Sequence, residues 1–125
     1  MPNDNKRKTF ISILKSALGG NQQPYFNLFN GGGCNGKGTI LELMKNLMGE
    51  YYVDANVDLL LTSFSSKGAS ESLTALDKKR LVVFSEPNEN KKICADVMKV
   101  ITDTPSLQAR GLYEDLRDIY FSGTF

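Results

Sequence analysis

The chain has 125 residues, 41% hydrophobic and 23% charged, with a net charge of +1 and no histidine. This is the composition of one ordinary globular domain; the lack of histidine excludes histidine triads and histidine-ligated zinc, leaving proton transfer to carboxylates, lysine or water. Near-neutrality confines any polynucleotide contact to a local patch, two cysteines (Cys34 and Cys94) without a CxxC pair point to a reducing interior, and no apolar run approaches the roughly 20 residues that span a bilayer, so a soluble, intracellular protein without a membrane partner is expected.

In chain order, KRKTFISILKSAL at residues 6–18 places Phe10, Ile13, Leu14, Ala17 and Leu18 at helical spacing, and Gly19 and Gly20 end the run. YFNLF at residues 25–29 reads as a short buried strand. A glycine-rich loop follows, then a helix over residues 38–48 with Ile40, Leu43, Met44, Leu47 and Met48 on one face and Gly49 at its end. Residues 51–53 suggest a second strand, residues 57–61 an apolar segment of open type, and TSFSSKGAS a polar surface loop. ESLTALDKK suggests a short helix, and LVVF at residues 81–84 a central strand covered on both faces. Pro87 and Asn88 mark a turn, Ile93, Val97, Val100 and Ile101 another helical face, and LQARGLY and IYFSGTF a hairpin or strand pair around EDLRD.

The loop GGGCNGKGT carries the chemistry. Gly31, Gly36 and Lys37 satisfy GxxxxGK, the pattern in which glycines let backbone N–H groups converge on phosphate oxygens at a helix N-terminus while the lysine reaches the β and γ phosphates. Gly32, Gly33, Cys34, Asn35 and Gly38 complete the cradle, with Cys34 filling a permissive position. Gly38 stands where the usual pattern has the Mg²⁺-binding hydroxyl, so Thr39 becomes the candidate ligand. Glu86 follows the apolar strand, where an acid holds Mg²⁺ or polarises the attacking water, with Ser85 and Glu89 as neighbours. ATP and Mg²⁺ are the expected ligands.

The strings NGKGT, KRLVVFSEPNE and VMKVITDTPSLQARGLY, in that order, resemble the core of the D5-type NTPases, superfamily 3 helicases of viral and phage primase-helicases. Length and apolar spacing give one domain over residues 1–125 with an N-terminal helix over 1–20, and the resemblance, which covers about residues 24–125, implies an NTPase core there with an AAA+-like α/β three-layer P-loop fold. It matches Gly31, Gly36, Lys37 and Thr39 to the Walker A loop and Glu86 to the Walker B acid. Lys99 and Arg110 match basic positions leading to a hairpin that contacts single-stranded DNA; a solvated helix face and a structural ion pair are their plainer readings.

IYFSGTF stands where the family's sensor strand should be starting, so the core is expected to be incomplete at its C-terminus, without the arginine finger that neighbouring subunits exchange. Association with copies of itself or with a full-length helicase, in host cytoplasm if viral, is implied. ATP hydrolysis in support of DNA unwinding is the leading expectation, and a truncated, non-catalytic nucleotide-binding regulator is the rival. A small nucleotide kinase fits less well, because clamping two nucleotides takes several arginines and the chain has Arg7, Arg80, Arg110 and Arg117 only.

Overall fold

Asn3 starts the first helix by accepting hydrogen bonds on its side chain from the N–H groups of Asn5 and Lys6. This helix, α1 (Asp4–Gly19), ends where Gly20 turns left-handed at φ 69° and donates to Ser16 and Ala17. The computed structural model describes residues 3–20, 23–61, 72–85, 92–110 and 115–125. Helix α2 (Lys37–Met48) follows the glycine loop and leads through a 3₁₀ turn, Gly49–Tyr51, into strand β1 (Tyr52–Ala55). A second 3₁₀ turn, Val57–Leu60, is capped by the Asn56 side chain, which accepts from the Asp58 N–H. Residues 72–74 form one helical turn before strand β2 (Leu81–Phe84). Helix α3 (Ala95–Asp103) then precedes strands β3 (Ser106–Ala109) and β4 (Arg117–Tyr120).

β1 and β2 pair in parallel with Tyr52 opposite Leu81, whereas β3 and β4 pair antiparallel with Ser106 opposite Tyr120. The end of the chain extends the parallel sheet. Thr124 bridges Leu81, accepting from the Val82 N–H at 3.0 Å and donating to the Arg80 carbonyl at 2.9 Å. Beyond it, the Phe125 carbonyl accepts from the Asn27 N–H at 2.7 Å and from Asn27 Nδ2 at 2.8 Å. The lateral order is therefore β1, β2, Thr124, Asn27.

Strand alternation sorts the core onto two faces. Tyr52 and Leu81, with Val83 beside them, pack against Leu14 and Ala17 of α1 and Ile40, Met44 and Met48 of α2. Val53, Ala55, Val82 and Phe84 point the other way, onto Leu59, Leu60, Val97, Ile101, Ile119 and Phe121. The sheet thus lies between α1 and α2 on one side and α3 with the β3–β4 hairpin on the other, an α/β arrangement.

Three expectations change. Residues 25–29 carry no assigned strand, and Leu28 is 81% exposed; Asn27 meets Phe125 on one side, and of this segment Phe26 is the residue packed on the core. On α2, Met44 and Met48 are buried and Ile40 partly so, but Leu43 and Leu47 each remain 65% exposed, because the sheet contacts a narrower stripe than the apolar pattern offers. The helical face expected from Ile93 starts later, at Ala95: Ile93 precedes the helix, Cys94 is the N-cap of α3, and the Cys94 N–H bonds the Leu60 carbonyl.

Candidate functional site

The segment before the glycine loop is held by aromatic contacts. The Phe26 ring lies 5.7 Å from that of Phe84 at the end of β2, and Phe10 of α1 meets Phe29 edge-on at 5.3 Å. Residues 31–36 then cross the surface to α2. Cys34 and Gly36 both have positive φ, 56° and 81°, the kind of backbone from which anion-binding nests are built.

Gly36 is the N-cap of α2 and offers no side-chain acceptor, so the N–H groups of the first turn remain uncapped by any side chain. Lys37 opens the helix, half-buried, and its Nζ donates to the Gly31 carbonyl at 3.1 Å. A Cβ at Gly31 would stand 2.9 Å from Asn35 Nδ2 and 3.6 Å from Lys37 Nζ, inside the concavity. At Gly32, Gly33 and Gly38 a Cβ would meet nothing within 4 Å, so packing within the chain does not demand these glycines. Thr39 is exposed in the first turn of α2.

The direction of α2 sets where this loop stands relative to the sheet. Lys45 reaches Asp54, while Met48, three residues on, shares a cluster with Tyr52, two residues back along β1. The helix therefore runs antiparallel to β1 and β2. Its N-terminus, about 12 Å beyond Lys45 at 1.5 Å per residue, projects past the carboxyl ends of the parallel strands, where open α/β sheets offer their ligand crevice. Ser85, exposed, follows β2 at that end. Glu86 and Glu89 lie outside the described residues, as do Pro87 and Asn88.

Sequence reading missed a polar group on the edge strand. Asp54 accepts from Lys45 Nζ and from the Tyr52 hydroxyl, both at 2.7 Å. The bond from Lys45, then that from Tyr52, hold the Asp54 carboxyl below its usual range. Burial, then the bond to Asp54, push the Tyr52 phenol well above its usual value, and the Asp54 bond and charge raise Lys45. The available signal was the i, i+2 spacing of Tyr52 and Asp54 on one face. This group braces α2 against β1, and its charges mark β1 as a protected edge.

Lys99 is exposed on α3 and borders an open hollow with Phe26, Met98, Asp96 and Asp103. Arg110 is exposed directly after β3, and residues 111–114 of the hairpin lie outside the described residues. Lys37, Thr39 and the loop are thus brought together, while Lys99 and Arg110 stand on other elements. Among the described residues, no group of three or more potential ligands suited to a metal occurs, and no helix is long and apolar enough to cross a membrane.

No family model matches the chain. It is similar to a protein of Acanthamoeba polyphaga mimivirus described as a candidate helicase, with 33% identity over 127 residues covering 99% of this chain and 13% of that protein. It is also similar to the D5 primase of fowlpox virus, 29% identical over 118 residues, or 90% of this chain and 15% of the relative. The chain thus spans a small part of each, and the similarity is to viral proteins named for helicase and primase functions.

Proposed function

We propose that this chain is the nucleotide-binding core of a viral superfamily 3 DNA helicase, taking ATP into the loop Gly31–Thr39 and hydrolysing it in support of DNA unwinding during replication. The observation that carries the reading is the uncapped N-terminus of α2, with Lys37 at its first position, behind an exposed glycine loop at the carboxyl end of a parallel sheet. The helicase and primase names of the two viral relatives support it.

The residues present fit a triphosphate. The first turn of α2 has no side-chain cap, so the positive end of its helix dipole can face an anion, and the absence of a Cβ at Gly31 leaves the backbone open beside Lys37. Lys37 gives up its bond to the Gly31 carbonyl, worth about 1 kcal/mol net, for charge-assisted bonds to phosphate oxygens, which are roughly twice as strong. Thr39 would supply a hydroxyl and Glu86 a carboxylate to hold Mg²⁺, and the ion would supply neutralisation of the charge that develops during phosphoryl transfer. Lys99 and Arg110 meet single-stranded DNA through its phosphates.

The test is release of radiolabelled phosphate from ATP with and without single-stranded DNA. DNA-stimulated release that Lys37→Ala abolishes is the expected result. Nucleotide binding without turnover under either condition would contradict the helicase reading and leave a regulator; transfer of phosphate to AMP would replace it with a kinase.

A further inference from the structure

A second hollow, of about 460 Å³ and so within the range of small-molecule sites, opens between α1 and the segment before the glycine loop. Lys8, Ser12 and Ser16 line its helix wall at four-residue spacing. Gln23, Tyr25 and Asn27 line the wall opposite, alternate residues of a segment whose Phe26 packs on the other face of the sheet. A helix lying on a sheet ordinarily closes such a gap with apolar side chains. Here Ile13 is the aliphatic residue in a lining otherwise made of hydroxyls, carboxamides and one ammonium group.

The hydrogen-bonding capacity left in this lining is specific. Gln23 Nε2 donates to Ser16 Oγ at 2.9 Å and Asn27 Nδ2 to the Phe125 carbonyl at 2.8 Å, so each carboxamide has its nitrogen engaged and its oxygen without a donor among the described residues. Thr124 also lines the hollow, 1% exposed, and its Oγ1 has no partner among the described residues. No carboxylate among the described residues lines it, and the one acid of α1, Asp4, is paired with Arg7 at 3.0 Å. Lys8 has no ion pair among the described residues; nor does Lys15, exposed about 10.5 Å further along the same stripe.

We propose that this face holds a single-stranded polynucleotide, one base of which enters the hollow. Acceptor oxygens beside two unpaired cations suit a ligand that joins N–H donors to anions, and the exposed Tyr25 ring selects a planar one; a nucleotide strand combines all three. Its phosphates meet Lys8 and Lys15, its base stacks on Tyr25, and the N–H groups of the base edge donate to the oxygens of Gln23 and Asn27. Thr124 gains the partner that the chain itself does not supply. The site lies across the sheet from Lys99, and it shares the single-stranded partner of the function proposed above but none of its residues.

The test is fluorescence anisotropy of the full chain with labelled oligothymidylate, in the absence of ATP, set beside an abasic strand of the same length and free thymidine monophosphate. Oligothymidylate should bind more than about tenfold more tightly than either. Tyr25→Ala should weaken it about tenfold and Thr124→Val about fivefold, the latter in a protein whose stability does not fall. Lys8→Gln with Lys15→Gln should reduce the slope of log affinity against log salt by about 1.4. The same losses should appear in a Lys99→Ala, Arg110→Ala background, which separates this surface from theirs. No binding of oligothymidylate, an abasic strand or free thymidine monophosphate held equally well, or variants that bind as the wild type does would overturn the proposal. None of these outcomes bears on ATP binding in the loop, so the two readings fail separately.

Discussion

Gly123 is the residue on which the third position of the sheet, the tail at Thr124, depends. Its φ is not in the left-handed region, so alanine is permitted by the backbone, but an added Cβ would lie 2.9 Å from the Lys79 carbonyl oxygen and 3.5 Å from Val82 Cγ2. The first of these neighbours is backbone and cannot rotate away. Overpacking of this kind costs about 1 to 3 kcal/mol. Relief by withdrawing the tail would strain the Val82 to Thr124 and Thr124 to Arg80 hydrogen bonds, each worth about 1 kcal/mol. Gly123→Ala should therefore lose about 1 to 3 kcal/mol by whichever route costs less, a fall in Tm on the order of 5 to 10 °C for a domain this size.

Urea denaturation followed by circular dichroism measures the loss, with Gly32→Ala as control, since nothing lies within 4 Å of a Cβ there and the change should stay within about 0.5 kcal/mol. Because the Phe125 carbonyl anchors Asn27 just before the glycine loop, nucleotide affinity should fall with stability in the Gly123 variant. A Gly123→Ala protein as stable as the wild type would refute the placement of the tail against β2.

Other substitutions probe separate contacts. Arg80 donates to the Leu18 carbonyl at 3.2 Å and lies 4.3 Å from the Tyr51 ring centroid, clasping the end of α1 to the sheet; Arg80→Ala should cost about 1.5 to 2.5 kcal/mol in urea unfolding, and Arg80→Lys should recover little of it, because the planar guanidinium makes both contacts. Thr124 Oγ1 is buried and unpartnered among the described residues, so Thr124→Val should be neutral or stabilising by about 1 kcal/mol, measured the same way. The carboxyl of Asp54 is depressed by Lys45 and Tyr52, so its contribution is present above the unfolded value near 3.9 and is lost as pH falls through the lower folded value. Urea midpoints of wild type and Asp54→Asn should differ at neutral pH and converge in acid, whereas a pH-independent difference would contradict that coupling.

Much of the local architecture was legible because it rests on local chemistry. The spacing of Phe10, Leu14 and Ala17 marks α1, the run LVVF marks β2, and Gly36–Lys37 mark the entry to α2. What escaped depends on partners distant in sequence. Thr124 pairs with Leu81, forty-three positions earlier, and no local pattern announces it. YFNLF looks buried because its composition is apolar, yet a segment bonded through Asn27 to Phe125 sends Phe26 into the core and leaves Tyr25 65% exposed. Likewise, helical periodicity groups Leu43 with Met44 but cannot say how wide a stripe the sheet will cover. The loop chemistry was readable at Lys37 and Gly36, while the bracing of α2 by Asp54 needed the register of helix on strand.

Calorimetric titration of Mg²⁺ and ATP into the folded chain tests the central claim most directly. Saturable heat at one site per chain, abolished by Lys37→Ala in a protein whose unfolding midpoint is unchanged, is the predicted result. No heat from the wild type, or equal affinity in the Lys37→Ala protein, would contradict it.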